Sequence, residues 1–177
     1  MAKIAPKTLR LVYCAVFLAI GVVLSFLSFY LTEDIKISFA PIAVMLAGAT
    51  IGPLGGIAVG ALTDILVLLI KSLPGPYFPG FTITMALYGL LAGIFFYHSK
   101  DRRRQDKIWY IAVCVAIIQT ICSLLINSAW NNMLFGPSYG VVLATRAPTT
   151  YIQCAVYIVI LAVLIRNKQK IFKTLYE

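Results

Sequence analysis

The chain has 177 residues, of which 61% are hydrophobic and 12% are charged, and its mean hydropathy is +0.93. A soluble domain of this length cannot bury so much apolar surface, because globular chains are nearer to about 45–50% apolar. The net charge of +9 does not indicate a nucleic-acid-binding protein, since the basic residues are not interleaved with aromatic residues on a polar face. The composition therefore predicts an integral membrane protein.

Six apolar stretches follow one another along the chain. They predict an all-α integral membrane protein with one domain, a single bundle of six transmembrane helices over residues 1–177. The first stretch is followed by further spans and has no small-residue cleavage site, so we interpret it as a retained helix. The second is short for a full crossing and is expected to be tilted or packed against its neighbours. The predicted spans cover roughly residues 9–31, 37–52, 54–70, 81–97, 108–134 and 141–165.

The basic residues are concentrated on one side of this predicted bundle. With six spans, twelve of the 15 Lys and Arg residues fall on the side that carries both termini. Because cytoplasmic loops are enriched in basic residues, the sequence predicts cytoplasmic N- and C-termini. The other side carries Lys36, Lys71 and Arg146.

Two charged residues, Asp64 and Arg146, lie within stretches that otherwise span the membrane. A charge at bilayer depth costs about 2.5–3.5 kcal/mol on insertion scales, so it usually faces the protein interior and marks a ligand or ion site. Asp64 lies roughly 16 Å from the Gly52-Pro53 turn along its helix. Two structural alternatives stay open: Asp64 can pair with a lysine or a backbone group, and Arg146 can extend to lipid headgroups.

Polar and aromatic residues converge on the outer ends of the predicted spans. On span five, Asn127, Trp130 and Asn131 have i, i+3, i+4 spacing and share one helical face. Lys71 follows Asp64 by two helical turns on the same face. We predict an outward-opening ligand pocket here, with an ordinary aromatic belt and interhelical hydrogen bonds as the alternatives. The start of span four adds rings and hydroxyls: Tyr77, Phe78, Phe81, Thr82, Thr84 and Tyr88.

Two pairs of small residues predict close helix contacts. Gly56 and Gly60 precede Asp64 at spacings of four, which allows a neighbouring helix to approach closely and to face Asp64 as well. Ala15 and Ala19 form a second small face on span one. This face is predicted to pack internally or, if a membrane partner exists, to dock it.

The side chains that catalysis or metal binding requires are absent or peripheral. The single histidine, His98, lies at the cytoplasmic end of span four, and Glu33 and Glu177 are peripheral. No GKT/S phosphate loop is present, so ATP hydrolysis is not expected of this chain. We therefore predict neither an enzyme nor a cofactor or metal site, and a stand-alone secondary carrier is disfavoured by the single intramembrane acid. Four residues are predicted to be buried small hydrophobes: Cys14, Cys114, Cys122 and Cys154.

Most of the chain resembles the substrate-binding S components of energy-coupling factor (ECF) vitamin transporters, specifically the folate type. The matching stretches are ISFAPIAVMLAGATIGPLGGIAVGALTDIL (37–66), GPYFPGFTITMALYGLLAGIFF (75–96), and NSAWNNMLFG with LATR (127–136 and 143–146). The resemblance implies a protein of the bacterial plasma membrane that captures folate outside the cell. A separate module of two cytoplasmic ATPases and a membrane coupling subunit would drive delivery. Alternative substrates within this class are pantothenate, a pyrimidine, riboflavin or a queuosine precursor.

If the ligand is folate, as the resemblance implies, the polar residues can be matched to its chemical groups. A carboxylate can hold the donor-rich edge of a pterin, which suits Asp64, while Asn127 and Asn131 offer mixed donor and acceptor groups. The dianionic tail requires Arg146 or Lys71, and arginine provides a planar fork for a carboxylate. The flat rings are expected to stack on Trp130, Tyr77 or Phe81.

The resemblance also implies a partner surface and shows one departure. Ala15 and Ala19 match the alanine motif through which S components bind the coupling subunit. Folate-type members often carry a Lys-Asn pair a few residues after the arginine of span six, whereas this chain has Thr149 and Thr150. The tail would then depend on the remaining cations alone.

Overall fold

The computed structural model describes residues 6–30, 36–70, 78–97, 108–136 and 139–166, and within these ranges it forms the predicted all-α bundle of six helices. A two-residue antiparallel pair, β1 (Phe29–Tyr30) with β2 (Lys36–Ile37), connects the first two helices. α5 covers residues 108–135 and contains a π-helical segment, Thr120–Ile126, between two α-helical parts, Ile108–Gln119 and Asn127–Phe135. The other helices are α1 (Pro6–Phe26), α2 (Ala40–Ile51), α3 (Pro53–Ile70), α4 (Pro79–Phe96) and α6 (Tyr139–Arg166).

Helix α2 is the central element of the bundle. Five of the described helices are long and apolar enough to cross a membrane, whereas α2 has 12 residues, all of them buried. Its length of about 18 Å is less than the hydrocarbon thickness of about 30 Å. The expectation that the second span is short and packs against its neighbours is confirmed. Pro41 occupies its first turn, and Gly52, with φ of 112°, ends it and allows the chain to turn directly into α3.

The backbones of α2, α3 and α4 touch each other without intervening side chains. A methyl group added to Gly89 would overlap the carbonyl group of Gly56, and one added to Gly56 would overlap that of Gly89. Gly60 approaches the backbone of Met85 in the same way, and Gly48 of α2 approaches Gly89. The predicted close contact at Gly56 and Gly60 is confirmed, and the neighbouring element is α4.

Helix α6 holds the beginning of α2 through hydrogen bonds that join distant parts of the chain. Gln153 Nε2 donates to the carbonyl oxygen of Ser38 at 2.6 Å, and the hydroxyl of Tyr157 donates to the same oxygen. Gln153 also donates to the Tyr157 hydroxyl oxygen at 2.8 Å. Ser38, two residues before α2, is thereby fixed against the interior face of α6.

The outer surface of the bundle is apolar. Leu54 is 82% exposed, and Leu69 and Leu11 are almost as exposed, which a water-soluble monomer would not favour. In a bilayer the same side chains meet lipid. The prediction for the cysteines holds for three of them, which are buried, while Cys14 is only half-buried.

Replacing Gly89 with alanine is expected to destabilise the bundle. The added methyl group overlaps the Gly56 carbonyl group, so α3 and α4 must separate, at a cost of about 1–3 kcal/mol. The measurement is the thermal unfolding midpoint of the detergent-solubilised protein, which should fall.

Gly140→Ala is the matched control for this change. A Cβ atom at Gly140 meets nothing within 4 Å, and alanine is the better helix former, so the midpoint should stay or rise slightly. Equal midpoints for the two variants would contradict the close packing of α3 and α4.

Candidate functional site

The start of α4 and the last part of α5 meet in a cluster of aromatic rings. Trp130 Nε1 donates to Thr84 Oγ1 at 3.1 Å, and Thr84 donates to the carbonyl oxygen of Gly80 at 3.0 Å. The ring of Phe78 packs edge-on against Trp130, with centroids 5.3 Å apart, and against Phe81, with centroids 5.9 Å apart. Four predicted site residues therefore come together here, and their mutual contacts fix the orientation of the indole.

Gly80 makes this aromatic cluster possible, although the sequence did not single it out. An added Cβ atom would lie 2.8 Å from Trp130 Cδ2 and would overlap the ring of Phe78. Only a residue without a side chain allows both rings to approach the first turn of α4. The signal was present in the stretch PYFPGFT (76–82), where a glycine stands among three aromatic residues.

A buried cation lies between α5 and α6, close to two amide side chains. Arg146 is 9% exposed, and its Nη1 donates to the backbone carbonyl oxygen of Asn127 at 3.4 Å. Asn131 Nδ2 donates to the same carbonyl oxygen at 2.9 Å. The side-chain oxygen Oδ1 of Asn127 is buried and has no hydrogen-bond partner among the described residues. An acceptor with unused capacity thus lies beside an inward-facing guanidinium, which does not agree with an arginine that extends to lipid headgroups.

The π-helical segment Thr120–Ile126 aligns the polar face of α5. Polar residues recur every four positions at Gln119, Ser123, Asn127 and Asn131. In a regular α-helix such a stripe would rotate by about 40° at each step, because 3.6 residues complete a turn. The wider i→i+5 turn of a π-helix reduces this rotation, and π segments occur frequently at functional sites. These four polar residues therefore all face the interior of the bundle. Gln119, Ser123 and Asn131 are buried there, and Asn127 is partly buried.

Asp64 lies on the opposite side of α4 from Trp130. It is half-buried and accepts a hydrogen bond from Thr82 Oγ1 at 2.6 Å, so it faces α4 as its spacing from the α3 glycines predicts. Thr82 and Thr84 are two residues apart, so their side chains point about 200° away from each other around α4. The structure consequently brings the carboxylate to the α3–α4 interface and the cation to the α5–α6 interface, without direct contact between them.

The remaining predicted site residues divide into two groups. Lys71 and Tyr77 lie outside the described residues. Ala15 and Ala19 are exposed on the outer surface of α1.

Thr149 and Thr150 follow Arg146 by about one turn of α6 and lie beside this site. Thr149 donates to the carbonyl oxygen of Arg146 at 2.9 Å, within α6. Thr150 is buried 3.5 Å from the hydroxyl of Ser123. The Thr149 hydroxyl therefore bonds within α6, whereas the Thr150 hydroxyl faces Ser123 on α5.

A family model described as "ECF transporter, substrate-specific component" matches residues 9–166. The chain belongs to this family. Similar relatives include the folate transporter FolT of Clostridium novyi (strain NT), which is 33% identical over 137 residues, or 77% of this chain and 76% of the relative. The folate transporter FolT of Leuconostoc mesenteroides subsp. mesenteroides is 30% identical over 133 residues, or 73% of this chain and 68% of the relative.

Two solved structures share the fold of this ECF component. A crystal structure of FolT bound with folic acid has a TM-score of 0.70 and 24% identity, and the match covers 89% of this chain and 92% of that one. A structure of the S component of a bacterial ECF transporter has a TM-score of 0.67 and 20% identity, covering 94% and 99%. The resemblance to folate-type S components is confirmed, and the family is a transporter component rather than an enzyme.

Gly80→Ala is expected to displace the indole of Trp130. In a Trp109→Phe background, Trp130 is the only tryptophan, so intrinsic fluorescence reports its surroundings alone. The added methyl group pushes the ring away from Thr84, and the emission maximum should move to longer wavelength as the indole becomes more exposed. Gly140→Ala in the same background should leave the emission unchanged, and an unchanged emission for Gly80→Ala would contradict the described contacts.

Proposed function

We propose that this protein is the folate-binding S component of an ECF-type importer in the bacterial plasma membrane. One observation carries the proposal: the interior between α5 and α6 holds a buried guanidinium beside an amide oxygen that has no hydrogen-bond partner in the described part of the chain, one helical turn from an indole. Folate offers a counterpart to each group, since it combines an anionic tail, hydrogen-bonding groups and flat rings. The similarity to folate transporters over most of the chain supports the same ligand.

Arg146 is proposed to bind the anionic tail. Its guanidinium is largely removed from water, where attraction to a carboxylate is stronger than on an exposed surface. The planar fork can bind both oxygens of a carboxylate at once. Lys71 is proposed as a second cation for the tail. Thr149 and Thr150 carry no charge. Arg146 and Lys71 are therefore proposed to supply all of the positive charge for the tail.

The ring system is proposed to lie against the aromatic cluster. Trp130 is held in place by Thr84 and by Phe78, so it presents a fixed indole face for stacking. Asp64 is proposed to accept hydrogen bonds from the donor-rich edge of the pterin, since a carboxylate that binds Thr82 keeps further acceptor sites. Because Asp64 and Trp130 lie on opposite sides of α4, a pterin that contacts both must extend past the first turn of this helix. Further contacts to the ligand are proposed for Tyr77, Phe81, Asn127 and Asn131.

The proposed orientation places both termini in the cytoplasm, because twelve of the 15 Lys and Arg residues lie on that side. The start of α4 and the end of α5 then face the outside, where the vitamin is captured. A separate module of two ATPases and a membrane coupling subunit is proposed to supply the energy. Ala15 and Ala19 are its proposed contact, since small exposed residues on α1 allow another helix to approach closely.

Arg146→Ala is expected to weaken folate binding to the detergent-solubilised protein by at least about 30-fold, because losing one partner of a buried charge pair costs about 2 kcal/mol or more. Asp64→Asn should weaken it by about tenfold, since a hydrogen bond to a charged group is replaced by a neutral one. Calorimetric titration with folic acid measures both values.

Arg166→Ala is the control, because Arg166 is an exposed arginine at the other end of α6 and should not affect affinity. Unchanged affinity in both the Arg146 and Asp64 variants would remove these residue assignments. A wild-type protein that ignores folate but binds pantothenate, riboflavin, a pyrimidine or a queuosine precursor would overturn folate as the substrate.

Tryptophan at both Ala15 and Ala19 is expected to abolish folate uptake by cells that carry the coupling module, because the bulky rings keep a partner helix away from α1. Folate binding to the purified variant should be unchanged, since both positions face outward. Val159→Trp with Val163→Trp, an exposed pair of the same spacing on α6, should leave uptake unchanged. Normal uptake by the alanine-pair variant would contradict the proposed contact.

A further inference from the structure

Both helices that flank Arg146 have an irregular backbone, and the two irregularities lie at the same depth. Helix α5 contains the π-helical segment Thr120–Ile126, and α6 contains Pro148 within the helix. A proline has no N–H to donate and its ring collides with the preceding turn, so it weakens the helix at this point. The hydroxyl groups of Ser123 and Thr150 are 3.5 Å apart, which places the π segment next to the turn of α6 that contains the proline. Sharp helix kinks arise at π segments and at prolines.

The parts of α5 and α6 on the outer side of these two points form what we call the outer arm. It consists of Asn127–Phe135 of α5 and residues 139–147 of α6. Gly136 ends the first part with φ of 80°, and a Cβ atom at Gly136 or Gly140 would meet nothing within 4 Å. Most of residues 139–147 are exposed. The outer arm is therefore packed loosely at its far end.

The outer arm carries the cation and the amides that are proposed to bind the ligand. Arg146 donates to the backbone carbonyl oxygen of Asn127, so the two parts of the arm are joined to each other. Arg146 is 9% exposed and Asn131 is 6% exposed. A ligand that arrives from water can reach these groups only when the residues that cover them move.

The indole of Trp130 joins the outer arm to α4. Its Nε1 donates to Thr84 Oγ1 at 3.1 Å, and the ring of Phe78 packs against it. A hydrogen bond between neutral groups contributes little net free energy, because water replaces the lost partner when the bond opens. This contact can therefore break and form again without unfolding the bundle.

Two buried polar atoms at the base of the outer arm lack hydrogen-bond partners among the residues that the structure describes. They are Asn127 Oδ1 and Ser128 Oγ, and both directly follow the π segment. Buried polar groups in native proteins normally have partners, so these two require an explanation. Water that enters when the arm moves away from α4 would satisfy both atoms. This gain offsets part of the free energy that is lost with the indole contact.

We propose that the outer arm pivots as a unit about the π segment and Pro148, and that this movement opens and closes the ligand site. The described arrangement is the closed state. In the open state the hydrogen bond between Trp130 and Thr84 is broken, and Arg146 meets water. A ligand that contacts both the arm and α4 favours the closed state, because it binds that state better. The inference takes its ligand from the proposed function, whereas the pivot itself depends only on the helices.

The test compares distances across the outer and the inner halves of the same two helices. Nitroxide labels on Ile83→Cys of α4 and Val141→Cys of α6 report the outer arm, and labels on Ile94→Cys and Val159→Cys are the matched inner control. All four positions are exposed. The background is Cys14→Ser, since the other three cysteines are buried and do not take up label. Pulsed electron paramagnetic resonance measures both pairs in detergent.

Without ligand, the outer pair should give two distances that differ by about 5 Å. A tilt of about 20° displaces the end of an arm about 13 Å long by this amount. Saturating folic acid should leave one outer distance, while the inner pair should give one distance in both conditions. The pivot is overturned by a single outer distance in the ligand-free protein or by equal changes in both pairs. It is also overturned if folic acid binds by calorimetry but leaves the two outer populations unchanged.

Two substitutions should shift the ligand-free populations in opposite directions. Pro148→Ala restores a helical N–H and should reduce the open population at least about twofold, whereas Thr84→Val removes the acceptor of Trp130 and should increase it by a similar factor. Ile152→Ala, an exposed change on the inner side of the proline, should alter neither population. Unchanged populations in both variants would contradict the pivot. These measurements need no ligand, so absence of folic acid binding to the wild-type protein would refute the proposed function and leave the pivot to be judged by them.

Discussion

The contact between the backbones of α3 and α4 at Gly56 and Gly89 positions the rest of the molecule. Because no side chain separates the two helices, α4 is fixed in both distance and rotation relative to α3. Its rotation then decides where its two threonines point. Thr82 meets Asp64 on α3, and Thr84 meets the indole on α5. A small change at the glycine contact would disturb both sides of α4 together.

Polar side chains inside this bundle are costly, and their hydrogen bonds differ between the two sides of α4. On the α3 side, the carboxylate of Asp64 has a neutral hydroxyl partner. On the α5–α6 side, a buried guanidinium contacts a backbone carbonyl group at a long distance, and a neighbouring amide oxygen has no partner among the described residues. A scaffold that needed polar groups only for cohesion would satisfy them within the protein. Unused capacity in the interior is what a binding site for a polar solute requires.

The outer surfaces of the helices are apolar, whereas their inner surfaces carry the buried polar side chains. Large apolar residues cover the outer surfaces of α1, α3 and α6, as contact with lipid requires. The short helix α2 takes no part in this surface, since every one of its residues is buried. It acts as a core around which the long helices pack, and the hydrogen bonds from α6 to Ser38 hold the chain in place two residues before α2 begins.

The sequence by itself determined the class, the number of helices and the face of α3 that makes a close helix contact. Composition and apolar length require a membrane bundle, and glycines at spacings of four before Asp64 indicate which helical face carries the close contact. These properties are local, because they depend on residues within one or two helical turns. The tertiary structure decided which side of α4 each threonine faces, that Thr120–Ile126 adopts a π-helix, and that Arg146 faces Asn127 rather than lipid. No local pattern contains this information, since the rotation of each helix is set by contacts with residues that are far away in the chain.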